Sequence, residues 1–420
     1  MVCMPLGIYI SVPFCRTKCS YCNFASDVFS RAVFERYVDR VCADIANASR
    51  VATEMGGEME RGADSIYLGG GTPTVLESAQ LERIFGAVRS EFEVSSEAEI
   101  TVECAPGTLT SAMLESLLRC GVNRVSLGVQ SFVDQEAAAV GRLHKRVNVL
   151  EDITRLRAAG IANINIDLIA GLPHQTASSW EFSLAETIAA AVPHVSVYML
   201  EVDEDSRLGR EVIAGGTRYH AHFVPEEEAV ADFYGTACER LQAAGIAQYE
   251  ISNFARKGFE SRHNLKYWTR LPYFGFGIDA HSMLRVGPEG RDFSRADSEQ
   301  KGERGFSPCH NDLDAVRFAP SDSLDQYMNG SALQRTPVSR LAALEESFFL
   351  GLRLNRGVSL RGLSSKFGEE SVEAARAAIT ELVESGLMEQ RGDFVRLTAR
   401  GRLLSNEVFE KFILADEIAH

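Results

Sequence analysis

The run LGIYISVPFCRTKCSYC, residues 6–22, places Cys15, Cys19 and Cys22 directly after an apolar stretch that reads as a β-strand. A structural zinc site needs four ligands, usually as two pairs of Cys or His, and no second pair with that spacing occurs in the chain. Disulfide bonds would leave one of the three thiols over. The spacing therefore indicates a loop after a strand whose three thiolates hold a metal or an iron–sulfur cluster.

The composition is that of an ordinary globular protein, with 45% hydrophobic and 24% charged residues in 420. This length predicts a large domain with a smaller one. The formal net charge of −15 argues against generic binding to nucleic acid or anionic membranes. No apolar run reaches the roughly 20 residues that span a bilayer, so no integral membrane segment is expected. Nine cysteines, six of them scattered singly, do not resemble a secreted disulfide framework and favour a cytoplasmic protein.

Short β-rich runs alternate with amphipathic helices through the first half of the chain. Leu81, Ile84, Phe85 and Val88, for example, follow the helical repeat, and Ser178 with Glu181 predicts the start of a later helix. Such alternation predicts an α/β fold with a parallel sheet, either a partial barrel or an open twisted sheet, with its chemistry at the carboxyl ends of the strands. The predicted strands cover residues 6–12, 65–68, 99–103, 124–128, 163–169 and 194–200.

The last part of the chain predicts a separate small fold. Helical patterns near 340–354, 359–366 and 371–385 precede two short strand-like runs, an order that resembles a winged helix. The third of these helices carries Glu373, Glu381 and Glu384 against the single Arg376, so DNA binding is not expected. Gly, Pro, Ser and charged residues between 285 and 323 suggest a linker or a surface excursion.

Three thiolates on a cube of four irons leave one iron without a protein ligand, and a small molecule such as S-adenosyl-L-methionine can bind there. The glycine run 69–71, in the segment GGGTP, would let the backbone approach such a molecule closely. Taken alone, that run equally fits an ordinary turn. It is not a phosphate-binding P-loop, because the GK[ST] ending is missing.

Six segments in order, SVPFCRTKCSYCNF, YLGGGTPT, ECAPGTLT, SLGVQSF, GRLH and NIDLIAGLP, resemble the oxygen-independent coproporphyrinogen III oxidase family of radical S-adenosylmethionine (SAM) proteins. The resemblance covers about residues 6–285, and the tail is similar to that family's C-terminal domain. It implies a partial (β/α)6 radical SAM barrel with its C-terminal extension at 1–285. A linker or irregular excursion at 286–335 and a winged-helix-like domain at 336–420 would complete the chain.

The resemblance also implies a set of site residues. A [4Fe–4S] cluster would be held by the three cysteines of the loop, with Tyr9 and Tyr21 beside bound SAM. The methionyl end of SAM would contact Gly70, Gly71 and Thr72, and further contacts would come from Glu103, Gln130, Arg142 and Asp167. The chemistry agrees, since carboxylates suit amino and hydroxyl groups and a guanidinium suits a carboxylate. Without the resemblance, Asp167 could equally be a buried structural carboxylate paired with Arg142.

Two features favour the haem-chaperone branch of this family. The oxidases have a further cysteine two positions after the third cluster ligand and a longer segment before the loop, whereas this chain has Phe24 there and only 14 residues before Cys15. Residues 263–268, HNLKYW, resemble a signature of the chaperone branch, which makes His263 a candidate ligand to haem iron. The alternative for His263 is a hydrogen-bonded structural histidine.

The expected function is therefore a haem chaperone that binds haem as cargo and transfers it to an acceptor protein of unknown identity. It would carry the cluster and exchangeable SAM, and an electron donor would be needed if SAM is cleaved. The alternative is a radical SAM enzyme, either a coproporphyrinogen III oxidase or a radical methyltransferase.

Overall fold

A parallel six-stranded half-barrel is the centre of the protein in a computed structural model, which describes residues 4–286 and 313–413. The strands lie side by side in chain order: β1 Leu6–Val12, β2 Gly62–Gly70, β3 Glu93–Cys104, β4 Arg124–Gln130, β5 Asn163–Ala170 and β6 His194–Met199. Helices alternate with them: α1 Arg31–Ala46, α2 Ala48–Met55, α3 Ser78–Glu91, α4 Ser111–Arg119, α5 Asp134–Ala139, α6 Arg146–Ala158 and α7 Ala177–Ala189. The predicted α/β partial barrel is confirmed, and all six predicted strands are present.

The two faces of this sheet differ in polarity, because successive side chains on a strand point to opposite faces. The outer face is apolar and packs against the helices, with side chains shielded from solvent: Ile8, Ile10, Ile66, Leu68, Val102, Val125, Leu127, Ile164, Ile166 and Val195. The inner face is polar: Ser65, Tyr67, Glu99, Glu103, Ser126, Asn165, Asp167, His194 and Ser196. The barrel interior is therefore prepared for polar contacts along its whole length.

Further strands extend the sheet at both edges to twelve strands within the described ranges. β9 Tyr273–Phe276 runs parallel to β1, and three antiparallel strands follow: β10 Ser282–Arg285, β11 Leu313–Ala319 and β12 Gln334–Ser339. At the other edge β6 pairs with β8 Asn253–Ala255, and β8 with β7 Ala247–Gln248. The stretch 286–335 was expected to be irregular, but part of it forms sheet. The reason is that alternating apolar side chains of β11 pack into the main core. Residues 287–312 of this stretch lie outside the described residues.

The remaining helices of this part are α8 Arg207–Ile213, α9 Glu227–Ala243, α10 Arg262–Trp268 and α11 Leu324–Met328, with 3-10 turns at Pro73–Val75 and Arg218–Phe223. The start predicted for α7 at Ser178 is wrong by two residues. The hydroxyl of Thr176 accepts the backbone N–H of Ser179 at 3.2 Å, so Thr176 is the cap. No helix in the described part of the chain is long and apolar enough to cross a membrane.

The C-terminal part has a three-stranded sheet and a second apolar core, which also takes in Ile251, Met283 and Ala315 of the preceding part. It comprises α12 Arg340–Leu352, β13 Val358–Ser359, α13 Leu360–Phe367, α14 Glu369–Glu373, α15 Arg376–Glu384, β14 Met388–Arg391, β15 Phe394–Leu397, α16 Ala399–Leu403 and α17 Ser405–Glu410. The single helix predicted at 371–385 is divided into α14 and α15. Backbone contacts join this part to the barrel, where the N–H of Ile251 donates to the carbonyl of Arg353 at 3.1 Å.

Candidate functional site

The cysteine loop, residues 15–22, is fixed at the carboxyl end of β1 by hydrogen bonds to other parts of the barrel. The N–H of Cys15 donates to the carbonyl of Asp27 at 3.0 Å, and the N–H of Ser20 donates to the carbonyl of Val140 at 3.1 Å. The hydroxyl of Thr17 donates to the carbonyl of Gly141 at 2.9 Å. All three cysteines are free thiols. The loop is therefore a rigid carrier for three unpaired sulfur ligands.

Polar groups from two other strand ends approach these sulfurs. The hydroxyl of Thr72, after β2, lies 4.0 Å from Sγ of Cys15, and Nη1 of Arg142, after β4, lies 3.7 Å from Sγ of Cys19. Burial raises the pKa of the Cys15 thiol, so a thiolate there needs a compensating positive charge from a metal or a neighbouring cation. The guanidinium of Arg142 supplies one such charge.

The chemistry of the three thiols suits an iron–sulfur cluster. In residues 4–286 and 313–413, no three His, Cys, Asp or Glu side chains are arranged to hold one metal ion. Thiolates that each bind a different iron of a cube need not converge on one point. The donor set, three soft thiolates and no imidazole or carboxylate among them, also suits iron–sulfur chemistry.

The glycine segment lies against the residues that lead from β1 into the cysteine loop, at a distance that only glycine permits. The N–H groups of Gly71 and Thr72 donate to the carbonyls of Val12 and Phe14, both at 2.8 Å. A Cβ at Gly71 would lie 2.8 Å from these same two carbonyl oxygens, closer than ordinary contact allows. Gly70 has φ of +98°, which also favours glycine. The glycine run that was ambiguous in the sequence is thus required for packing the loop after β2 beside the residues that lead into the cysteine loop.

Two carboxylates face each other in the barrel interior below these loops. Oε1 of Glu103 accepts the hydroxyl of Tyr67 at 2.8 Å, and Asp167 accepts Ser126 at 2.9 Å and Asn165 at 2.7 Å. Burial, with the negative charge of Asp167 nearby, raises the pKa of Glu103 to about 7. Burial also raises the pKa of Asp167. Such carboxylates are suited to a cationic or hydroxyl-bearing ligand, which would favour their ionised forms.

An unpaired buried polar atom lies in the same region. Oε1 of Gln130 has no hydrogen-bond partner in the described structure, and Gln130 adopts a left-handed φ of 69°. Buried amide groups are rarely left unsatisfied, so Gln130 fits a polar molecule bound at the carboxyl ends of the strands.

The three cysteines, the glycine segment, Arg142, Gln130 and the two carboxylates line one cavity of about 1440 Å³. This exceeds the roughly 300–1,000 Å³ typical of a site for one drug-sized molecule. Of the residues predicted from the sequence, eleven line it: Cys15, Cys19, Cys22, Tyr21, Gly70, Gly71, Thr72, Glu103, Gln130, Arg142 and Asp167. Tyr9 does not line it, but a Cβ at Gly70 would lie 3.4 Å from the Tyr9 hydroxyl, so Tyr9 lies directly behind the glycine segment.

Sequence reasoning missed two contributions to the cavity. Tyr67, next to the glycine run, lines it and orients Glu103. Leu403 and Leu404 close part of it from the C-terminal part of the chain. The alternation of β2 could have indicated Tyr67, because it shares the inner face with Ser65. The sequence predicted that the winged-helix-like segment packs against the barrel, but nothing local identified Leu403 and Leu404 as the residues that reach the cavity.

His263 lies outside this cavity, at the opposite end of the barrel. Its ring is 1% exposed, with Nδ1 3.0 Å from the Ser65 hydroxyl and Nε2 2.9 Å from the Tyr267 hydroxyl. Its backbone N–H donates to Glu99 at 3.1 Å. Burial, with the positive charges of Lys266 and Arg124, lowers the pKa of His263 to about 3. With both ring nitrogens engaged, His263 offers no free lone pair to an iron, and the geometry favours the structural alternative.

Comparisons with known proteins agree with this architecture. The Radical SAM superfamily matches residues 9–185, and the HemN C-terminal domain matches residues 338–404. A solved structure titled coproporphyrinogen III oxidase (HemN) from Escherichia coli, a radical SAM enzyme, superposes with a TM-score of 0.79 at 22% identity. The match covers 98% of this chain and 91% of that one, and it establishes the shared fold.

Sequence relatives extend over the whole chain. A protein of Lactococcus lactis named heme chaperone HemW is 32% identical over 416 residues, which cover 99% of both chains. A Bacillus subtilis protein of the same name is 32% identical over 408 residues, 96% of this chain and 98% of that one. With the radical SAM barrel and the C-terminal domain both matched, the chain belongs to the HemW family of radical SAM proteins.

Proposed function

We propose that this protein is a haem chaperone that binds haem, carries a [4Fe–4S] cluster with exchangeable SAM, and passes haem to an acceptor protein. The observation that carries the cofactor part is the single cavity shared by the three free cysteines, the glycine segment and the Glu103–Asp167 pair. The haem part is supported by full-length similarity to proteins named heme chaperones. The acceptor is a protein not identified by the sequence, and a cytoplasmic location belongs to the same proposal.

The proposed role of each residue in the cavity follows from the chemistry of its side chain or backbone. Cys15, Cys19 and Cys22 would hold three irons, and Arg142 would balance the charge of Cys19 and reach a carboxylate of SAM. The backbone at 70–72 would contact the methionyl end of SAM. Glu103, Gln130 and Asp167 would bind the amino and hydroxyl groups of SAM. A cluster with one iron free of protein ligands supplies a binding point for SAM and a source of single electrons, so an electron donor is needed if SAM is cleaved.

Chemical analysis of reconstituted protein tests the cluster. Wild type should retain iron and sulfide in equal amounts after desalting, whereas Cys19→Ala should lose most of both, because two thiolates cannot hold a cube of four irons. Cys42→Ala is the matched control, since Cys42 is a free, half-buried thiol on α1. Equal retention of iron by Cys19→Ala and Cys42→Ala would contradict the assignment.

Titration with haem under reducing and oxidising conditions tests the cargo. The reconstituted protein should give a haem-dependent absorbance band that saturates near one haem per chain. Addition of an apo-haemoprotein should then remove haem from it faster than haem leaves spontaneously. Absence of any saturable band would refute the chaperone proposal while leaving the cluster assignment intact.

An enzyme is the second candidate, because every SAM contact predicted from the sequence except Tyr9 lines the cavity. A chaperone that only binds haem would not need so complete a set. Anaerobic incubation with reductant, SAM and coproporphyrinogen III distinguishes the two functions. Formation of protoporphyrinogen would establish an oxidase, and methylation of an added substrate would establish a methyltransferase; we expect neither.

A further inference from the structure

A chain of hydrogen bonds crosses the barrel interior from the cavity carboxylate Asp167 toward α10, at the opposite end of the barrel. Nδ2 of Asn165 lies 2.7 Å from Oδ1 of Asp167. Oδ1 of Asn165 lies 2.6 Å from Nδ1 of His194, and Nε2 of His194 lies 3.0 Å from the hydroxyl of Tyr249. The Tyr249 oxygen in turn accepts the backbone N–H of Ser261 at 3.2 Å. Four hydrogen bonds thus join Asp167 to Ser261, the residue that caps the start of α10.

The middle of this chain is sealed from solvent. His194 is fully buried, and Asn165 is 2% exposed. Burial, with the positive charge of Arg124, lowers the pKa of His194 well below its usual value, so the ring is neutral at pH 7. A neutral imidazole has one N–H and one lone pair. His194 therefore has one donor nitrogen and one acceptor nitrogen for its two partners.

The direction of each hydrogen bond follows from Asp167. Its ionised carboxylate only accepts, so the amide of Asn165 turns its NH2 group toward Asp167 and its oxygen toward His194. The nitrogen of His194 beside that oxygen is then Nδ1–H, which leaves the lone pair of Nε2 for the hydroxyl of Tyr249. All the donors therefore point toward the carboxylate, and hydrogen bonds aligned in this way polarise and strengthen one another.

The donor that His194 supplies to Asn165 has no close substitute. The hydroxyl of Ser196 lies 3.3 Å from Oδ1 of Asn165, but it lies closer, at 2.8 Å, to Oδ1 of Asn253. A serine hydroxyl has one proton, so Nδ1–H of His194, at 2.6 Å, is the principal donor to Asn165. Without it, the amide of Asn165 can turn over and present its oxygen to Asp167, where two acceptors would repel each other.

Asp167 is the residue at which this chain of hydrogen bonds meets the cavity. Its second oxygen accepts the hydroxyl of Ser126 at 2.9 Å, so Asn165 and Ser126 together fix the plane of the carboxylate. We propose that His194 is a positioning residue, which orients the carboxylate of Asp167 through Asn165 for the hydroxyl groups of SAM in the cavity. This inference rests on the proposed function, which places SAM at Asp167.

Two substitutions of His194 separate positioning from packing. The amide nitrogen of Asn lies at about the place of Nδ1 and can donate to Asn165, whereas the amide of Gln lies near the place of Nε2 and leaves Asn165 without that donor. In the full, cluster-reconstituted chain, SAM affinity measured by equilibrium dialysis should fall about tenfold in His194→Gln but stay within about threefold of wild type in His194→Asn. A residue that only fills space predicts the reverse order, because Gln is closer to His in volume. His281→Gln, at an exposed histidine, is the control and should match wild type.

A double-mutant cycle tests the route of the effect. In an Asp167→Ala background, His194→Gln should change SAM affinity by less than about twofold, because the group that His194 positions is absent. Tyr249→Phe, which removes a single hydroxyl, should weaken SAM binding about threefold, and only where Asp167 is present. This milder variant keeps the inference testable if the His194 variants do not fold.

The outcomes separate this inference from the proposed function. Wild-type SAM affinity in His194→Gln, or equal losses in His194→Gln and His194→Asn, would overturn the inference alone. A tenfold loss that persists in the Asp167→Ala background would do the same, because it would not pass through the carboxylate. Failure of wild type to bind SAM would overturn the SAM part of the proposed function together with the inference. Retained iron and urea unfolding, measured on each variant, ensure that folded, cluster-bearing proteins are compared.

Discussion

Replacement of His263 by alanine should destabilise the protein rather than selectively abolish haem binding. The change leaves the hydroxyls of the fully buried Ser65 and the half-buried Tyr267 without the partners they have at 3.0 Å and 2.9 Å. Each unsatisfied buried hydroxyl costs about 1–3 kcal/mol, and the space left by the imidazole adds to this. The free energy of unfolding at pH 7 should therefore fall by about 3–5 kcal/mol.

The pH dependence supplies an independent check. The folded pKa of His263 is about 3, below the ordinary value near 6.5, so the unfolded chain binds more protons between these values. The stability that comes from the neutral ring is complete above about pH 6.5 and is lost as pH falls toward 3. At pH 5 the difference between wild type and His263→Ala should thus shrink by about 2 kcal/mol, because the variant lacks this titration.

Urea unfolding followed by circular dichroism at pH 7 and pH 5 measures both quantities. Tyr267→Phe, which removes one hydroxyl, should cost about 1 kcal/mol. The exposed His281→Ala should change stability by less than about 0.5 kcal/mol. The reasoning is refuted if His263→Ala unfolds like wild type at pH 7 yet loses the haem absorbance band, because that result would make His263 a ligand without a structural role.

Three other outcomes follow from particular contacts. Gly71→Ala should lower retained cluster iron, since its Cβ would meet the carbonyls of Val12 and Phe14, which lead into the cysteine loop. Gly86→Ala on α3, with open space around it, should instead add about 0.5–1 kcal/mol to stability. SAM affinity measured by equilibrium dialysis should rise about five- to tenfold from pH 6 to pH 7.5 as Glu103 ionises near pH 7, and Glu103→Gln should abolish that rise. Arg353→Met should cost about 3 kcal/mol in urea unfolding, because Arg353 lies 3.7 Å from the fully buried Glu250 and its guanidinium packs 4.3 Å from the Trp268 ring. Arg356→Met, at an exposed position, is the matched control and should stay within about 0.5 kcal/mol.

The half-barrel could be predicted from the sequence because its strands are apolar on the outer face and its helices are amphipathic over several turns. The cavity residues could be grouped for a related reason: motifs that follow successive parallel strands meet at one end of a sheet. β10 to β12 could not be predicted in this way. These strands pair antiparallel at the sheet edge, and the pairing of β10 with β11 joins segments far apart in the chain, such as Ser282 with Phe318.

For His263, in the HNLKYW segment, the local sequence gives the residue type but not the direction in which the side chain points. The residue type, histidine beside tyrosine and tryptophan, suggested an iron ligand, but the side chain's direction depends on Ser65 and Glu99, which precede it by more than 160 residues. His174 and His220 show a contact that local sequence does not reveal. His174 and His220 lie 46 residues apart in unremarkable segments, and only the fold brings their nitrogens within 3.2 Å.

The two ends of the barrel differ: the carboxyl ends of the strands line the cavity, and α10 closes the amino ends. At the amino ends of β1 to β3, the α10 segment closes the interior: Lys266 donates to the carbonyl of Pro5 at 2.7 Å and pairs with Asp64 at 2.7 Å. Tyr67 lies between this closure and the cavity, because its ring is 5.4 Å from that of His263 while its hydroxyl holds Glu103. A change at the closed end can thus reach Glu103, the carboxylate proposed to bind SAM, through Tyr67 alone. Tyr67→Phe should weaken SAM binding, because Glu103 loses the hydroxyl that orients it. The hydrogen bonds of His263, and most of the stability, should stay in place.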